Sequence, residues 1–221
     1  MIVAERKPLE TLAEWLTPYS RVALVGCKGC VTVCHAGGLK EVEILAAQLT
    51  LHARERGRML EVGEWMMERQ CDPEYIEEKR ESLAPYEAIL SLACGAGVQL
   101  LAERFPTLPV LPGLDTRFMG VAAKPGEFSE RCQACGACKL HLTAGICPVS
   151  RCSKSLLNGP CGGSWKGRCE VDESIPCAWQ LIVDRLKAQG RLGEFERVLP
   201  ANDWRTSRDG GPRRIVREDL A

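Results

Sequence analysis

Hydrophobic and polar positions divide this chain into two parts of different texture. In residues 1–20, Leu9, Leu12, Trp15 and Leu16 recur at helical spacing and predict an N-terminal helix. Residues 21–26 follow as a compact apolar run ending in Gly26, the pattern of a strand buried on both faces of a parallel sheet. Over residues 39–56 the helical period returns, with Val42, Leu45, Ala46 and Leu49 on one face, and Gly57 stops it. Residues 59–65 predict a second strand. Asp72-Pro73 supplies a cap and first turn for a short helix ending at Leu83. Residues 88–93 predict another buried strand, residues 98–105 a helix closed by Pro106, and Val110-Leu111 a last short strand. Strands alternating with helices predict an α/β fold built on a small parallel, Rossmann-like sheet of three or four strands.

Near Gly126 the pattern changes. Eight of the 13 cysteines fall between Cys132 and Cys177, among many glycines and few periodic apolar positions. Such a segment builds little hydrophobic core, so metal ligation is expected to hold it. A helix over residues 178–189 follows, with Trp179, Ile182, Val183 and Leu186 facing one way and Gly190 as its stop. From Pro200 the chain carries Trp204 and Arg205, Arg208, Arg213, Arg214 and Arg217, and reads as an extended tail. The expected organisation is an α/β domain over residues 1–125 and a cysteine-rich, metal-held domain over 126–221, with a terminal helix and the tail.

Charge narrows the function classes. Lys plus Arg equals Asp plus Glu, 29 each in 221 residues, which argues against a nucleic acid held by bulk charge. The start, MIVAERKPLE, lacks the apolar run of a secretory signal, and the nearly apolar residues 88–102 are too short and broken to span a membrane. A cytoplasmic setting is expected. Thiols there stay reduced, so metal ligation is the stronger reading of the cysteines and disulfides the weaker.

The first cluster, Cys27-x2-Cys30-x3-Cys34, follows the first strand, and ligands of open parallel sheets bind at the carboxyl ends of strands. Cys94 ends a later strand and Cys71 lies after the possible second one. Four of these five are expected to hold a [4Fe–4S] cluster. Cys27, Cys30, Cys34 and Cys94 are the first choice, with Cys71 the rival fourth ligand. The plainer account makes Cys71 and Cys94 small buried hydrophobes.

Cys132-x2-Cys135-x2-Cys138 matches the start of the bacterial ferredoxin run, and Cys147-Pro148 matches its end. Eight residues separate Cys138 from Cys147 where three are usual. Cys152, Cys161, Cys169 and Cys177 suffice for a second tetrathiolate site, and zinc is the rival metal because it also uses C-x2-C pairs. His35 neighbours the first cluster but reads better as a polar loop residue; His141 lies between the cysteine groups and replaces a thiolate only in a minor reading; His52 looks solvated beside Arg54 and Arg56. Gly95-Ala96-Gly97 with Asp115 is a fragment of a dinucleotide fingerprint that lacks its third glycine, Leu100 standing there. Gly159-Pro160-Cys161-Gly162-Gly163 lacks the lysine of a phosphate loop and suits a backbone wrapping a metal. No acid–base or nucleophile constellation stands out. The residues point to electron transfer.

Five stretches carry a resemblance: Cys132-Gln-Ala-Cys-Gly-Ala-Cys138, Thr143-Ala-Gly-Ile-Cys-Pro148, Leu156-Leu-Asn-Gly-Pro-Cys-Gly-Gly163, Arg168-Cys-Glu-Val171 and Cys177-Ala-Trp179. They resemble the cysteine-rich methylenetetrahydrofolate reductase C-terminal family. The front half is similar through Gly26-Cys-Lys-Gly-Cys30, Cys34, Ala36-Gly-Gly38, Leu92-Ala-Cys-Gly-Ala-Gly97 and Asp115-Thr116, which extends the likeness to the small subunits of acetogen-type methylenetetrahydrofolate reductases. Ala144 departs from the pattern, where glycine is expected. The resemblance implies a non-catalytic partner of a flavin subunit, MetF, which holds FMN and reduces methylenetetrahydrofolate to methyltetrahydrofolate in the reductive acetyl-CoA pathway. It implies two or three [4Fe–4S] sites, with zinc in one C-terminal site as an alternative, and ferredoxin or an electron-bifurcating complex as donor. The arginine-rich tail and the Trp179 helix are then candidates for gripping MetF. The competing class is a zinc-bound structural or assembly subunit of the same flavoenzyme.

Overall fold

The computed structural model describes residues 1–220. They fall into two compact units, Met1–Ser129 and a second from Glu130 onward.

The first unit is α/β. Its main sheet is parallel, in the order β3-β2-β4-β5, formed by β2 (Arg21–Cys27), β3 (Glu61–Met67), β4 (Ala88–Leu92) and β5 (Val110–Pro112). Alternate residues of the central strands face opposite layers. Val22, Leu24, Leu90 and Leu92 pack with α1 (Leu9–Trp15) and α3 (Leu39–Glu55), through Leu12, Val42, Leu45 and Leu49. Ala23, Val25 and Ile89 pack on the other side with Ile76 of α4 (Pro73–Glu77), Leu83 of α5 (Arg80–Leu83) and Leu101 of α6 (Gly95–Arg104). A strand covered on both faces must be apolar throughout, which is why these strands stand out in the sequence.

Two features differ from the sequence expectation. Residues 1–20 do not form one helix: β1 (Ile2–Arg6) precedes α1 and pairs antiparallel with β6 (Leu114–Lys124). With β7 (Glu127–Cys132) they make a second sheet in the order β1-β6-β7. Much of β6 is exposed, so its sequence carries little alternation, and β1 becomes a strand only through a partner more than 100 residues away. Gly126, at φ +75°, makes the turn between β6 and β7.

The second unit holds little regular structure. Its α-helices are the single turn α7 (Pro148–Arg151) and α8 (Ala178–Ala188), while α2 (Cys30–Val33) belongs to the first unit. Its buried apolar cluster is Ala144, Ile146, Trp179, Ile182 and Leu186. Trp179 belongs to this core: it is 6% exposed and its Nε1 donates to Leu156 O at 3.0 Å. It is therefore spent inside the unit rather than free to grip a partner. The tail is not wholly extended; 3₁₀ turns form at Trp204–Thr206, Arg208–Gly210 and Glu218–Leu220.

Candidate metal centres

In the first unit the cysteines gather at the carboxyl ends of β2, β3 and β4. Cys27 is the last residue of β2, Cys30 opens α2, Cys94 caps α6 directly after β4, and Cys71 follows β3. The loop that carries Cys27 and Cys30 is pinned over the sheet. Cys27 N–H donates to Gly37 O at 2.9 Å, and a Cβ on Gly37 would stand 2.0 Å from Leu92 O, so only glycine lets the loop pass. Burial, then the charges of Cys94, Cys27 and Cys30, push the Cys71 thiol above its ordinary value. Cys71 is itself exposed, so that repulsion is screened by solvent.

Cys34 is arranged differently. It is 8% exposed, and its Sγ lies 3.6 Å from both Ala4 O and Val31 O, with its thiol turned into the core beneath β1. Burial raises its value, with the Ala4 carbonyl contact opposing. The sequence favoured Cys34 over Cys71; the charge of Cys30 reaches both thiols, while those of Cys27 and Cys94 act on Cys71. No spacing rule distinguishes the two, because the choice depends on how β1 covers α2.

The glycines after Cys94 serve packing. A Cβ on Gly97 would meet Ala93 Cβ at 2.9 Å and Gln70 Cβ at 3.0 Å. Asp115 is ion-paired with Lys7, and Thr116 Oγ1 accepts from Gly95 N–H at 2.9 Å. Sequence reasoning passed over Gln70, a fully buried amide next to Cys71 that bonds the ends of β2 and β4. A lone Gln gives no sequence signal for that role.

In the second unit the eight cysteines separate into two sets of four. Cys132, Cys135, Cys138 and Cys147 line a cavity of 260 Å³. Cys152, Cys161, Cys169 and Cys177 line another of 20 Å³. Around the first, the chain doubles back through Ala134 at φ +50° and Gly136 at φ +82°. That turn aims the Ala134 N–H at Cys132 Sγ, 3.3 Å away, while Ser150 N–H reaches Cys147 Sγ at 3.5 Å. Around the second, two isolated antiparallel bridges, Trp165–Arg168 and Arg168–Pro176, fold the chain so that Cys169 stands opposite Ile175 and Cys177 opposite Gly167. Cys169 N–H donates to Ile175 O at 2.9 Å and Cys177 N–H to Gly167 O at 2.8 Å. Hydrogen bonds from Ser153 and from the Val171 and Asp172 amides pull the Cys169 thiol below its ordinary value. Cys161 Sγ donates to Glu170, which is ion-paired with Lys154.

Cys147 and Cys152 flank α7, so one helical turn joins the two sets. Arg151 lines the smaller cavity, and burial, followed by the charges of Arg131 and Arg185, lowers its value; an arginine there still keeps its charge. Cationic side chains thus stand beside both groups of thiols, where deprotonated sulfur gains from them.

All 13 cysteines are free thiols. Among the described residues no three His, Cys, Asp or Glu side chains stand close enough to grip one ion. The donor sets nevertheless fit thiolate-held metal in kind and number: soft sulfur ligands in fours suit zinc or an iron–sulfur cluster. Each set would draw its sulfurs together around the metal it takes. His35 and His141 are exposed, and His52 lies 3.2 Å from Arg56 Nη1. Among the described residues no helix is long and apolar enough to cross a membrane.

Residues 111–205 match the family model described as methylene-tetrahydrofolate reductase C terminal. That segment, which contains both four-cysteine sets of the second unit, is related to this family. No curated protein matches the chain.

Proposed function

We propose that the chain is an electron-transfer subunit of a methylenetetrahydrofolate reductase, of the small, MetV type, serving the FMN of a MetF partner. The observation that carries this reading is the gathering of Cys27, Cys30, Cys71 and Cys94 at the carboxyl ends of β2, β3 and β4, with two further sets of four lining separate cavities. When bound, thiolate-held iron–sulfur clusters carry electrons singly, and a flavin collects two for delivery to the folate.

This chain's residues would hold and insulate those centres. Cys27, Cys30, Cys71 and Cys94 are the ligands of the first, on a loop clamped by Gly37. Cys132, Cys135, Cys138 and Cys147 are those of the second, with the Ala134 and Ser150 amides directed at sulfur. A reducing cytoplasm and a ferredoxin or an electron-bifurcating complex as donor belong to the same reading.

One observation favours a second reading for the third set. The space enclosed by all four of these thiols is 20 Å³, against 260 Å³ at the other set, although Cys169 also borders an open cavity of 380 Å³. We assign zinc to Cys152, Cys161, Cys169 and Cys177, with a structural role. Iron, sulfide and zinc analysis of the anaerobically purified chain tests both readings. The expected content is about eight iron, about eight sulfide and about one zinc per chain. A colourless chain carrying only zinc would leave the structural subunit and remove the electron carrier.

A further inference from the structure

The C-terminal tail lies on the loop that carries Cys132, Cys135 and Cys138. Thr206 Oγ1 lies 2.8 Å from Cys135 O and 2.8 Å from Asp203 O, its one proton shared between loop and tail. Arg213 Nη1 donates to Ala134 O at 2.6 Å and to Thr206 O at 3.0 Å, tying loop and tail together. Between these bonds the two backbones come very close: a Cβ on Gly136 would stand 2.3 Å from Thr206 O, and at φ +82° glycine is the residue that fits. The tail is itself anchored. Asp203 Oδ1 accepts from Arg205 N–H at 3.1 Å, and the buried Ser207 donates to Trp204 O at 2.6 Å.

Ala134 is therefore held from both sides. Its N–H is directed at Cys132 Sγ and its carbonyl is taken by Arg213. The residue also has φ +50°, a conformation an alanine keeps only when its surroundings enforce it. Removing the Arg213 bond frees the peptide whose neighbour addresses sulfur.

We propose that residues 203–213 are a strap that positions the Cys132–Cys135–Cys138 loop for its metal, with Thr206 and Arg213 as the positioning residues. The inference rests on the reading that Cys132, Cys135, Cys138 and Cys147 hold a metal centre. It gives the arginine-rich tail a task within its own unit. Hydrogen bonds one step outside the ligands typically set metal affinity by 10- to 100-fold, by fixing ligand direction before the metal arrives.

The test is release of metal from the full-length, anaerobically purified chain to a chromogenic chelator, followed separately for iron and zinc. The pool in question is the one that Cys135→Ala abolishes. In Thr206→Val and in Arg213→Met that pool should leave about tenfold faster or more, while the other pools keep their rates. Thr206→Ser, which keeps the hydroxyl, should restore the slow rate, and the visible spectrum of the pool should shift in Arg213→Met but not in Thr206→Ser. Release at the wild-type rate in both variants overturns the strap, as does equal acceleration of every pool, which would report general loosening. If Cys135→Ala leaves the metal content of the chain unchanged, the metal-site reading fails first and the strap falls with it.

Discussion

Ser91 Oγ donates to Gln70 Oε1 at 2.6 Å, and both residues are wholly buried at the carboxyl end of the parallel sheet. The same amide donates through Nε2 to Val25 O at 2.9 Å and Gly26 O at 3.0 Å, while Ser91 Oγ accepts from Ala93 N–H at 3.3 Å. One side chain thus joins the ends of β2 and β4, and its neighbours in sequence or space are Cys27, Cys71 and Cys94. Gln70→Leu would leave a hydroxyl and two carbonyls without their partner in the interior. Each such group costs about 1–3 kcal/mol, so the variant should lose about 3 kcal/mol or more of stability. Urea unfolding at neutral pH measures this; a loss below about 1 kcal/mol would mean that water or a rearranged carbonyl replaces the amide.

The proposed ligand set of Cys27, Cys30, Cys71 and Cys94 yields a direct contrast with Cys34. Cys71→Ser should remove the metal of the first unit, because a serine oxygen replaces one of four soft ligands. Cys34→Ala should keep it, because that sulfur is occupied by Ala4 O and Val31 O. Iron content of the two variants, purified side by side without oxygen, decides. Loss of iron in Cys34→Ala with retention in Cys71→Ser would reverse the assignment.

Cys34 also predicts a pH dependence. Its thiol is raised by burial, so the folded chain holds this proton more tightly than the unfolded chain does. The associated stability is fully present below the ordinary thiol value of about 8.5 and is lost as pH rises through the raised folded value. Cys34→Ala should cost about 1 kcal/mol at pH 7 through lost packing, and the gap to wild type should narrow as pH rises above about 8.5. Urea midpoints of both proteins at several pH values check this; a gap that stays constant would show that Cys34 does not titrate with unfolding.

The sequence carried the first unit well where burial is two-sided. The strands containing Val22–Val25 and Ala88–Leu92 are apolar at every position, and the parallel α/β fold they predict is the fold present. It failed where a strand depends on a distant partner, as Ile2–Arg6 depends on β6. In the second unit the cysteine spacing already divided the eight thiols as the cavities do, whereas the turn at Ala134 and Gly136 and the bridges around Arg168 were not legible, because no period encodes them. Ala144 shows the opposite case. Its departure from the glycine of the family pattern is legible in sequence, and its φ of +48° supplies the reason glycine belongs there. The strap of residues 203–213 was invisible, because an arginine-rich tail reads as solvated until its hydrogen bonds are seen.

On the proposed reading, the two cavities of the second unit that are each lined by four cysteines differ enough in room for mutation to separate the metals. Cys135 lines the 260 Å³ cavity and Cys161 the 20 Å³ one. Cys135→Ala should lower iron and sulfide by about four atoms each and leave zinc in place. Cys161→Ala should lower zinc and leave iron nearly unchanged, and should also cost stability, because this unit has only a small apolar core around Trp179 and leans on its metal for the rest. A chelator selective for zinc should then unfold the second unit of the wild-type chain while the visible spectrum persists at first. Elemental analysis of both variants is the deciding measurement. Iron lost in Cys161→Ala with zinc retained would exchange the two metals between the cavities, and loss of both in either variant would mean that the eight thiols act as one site.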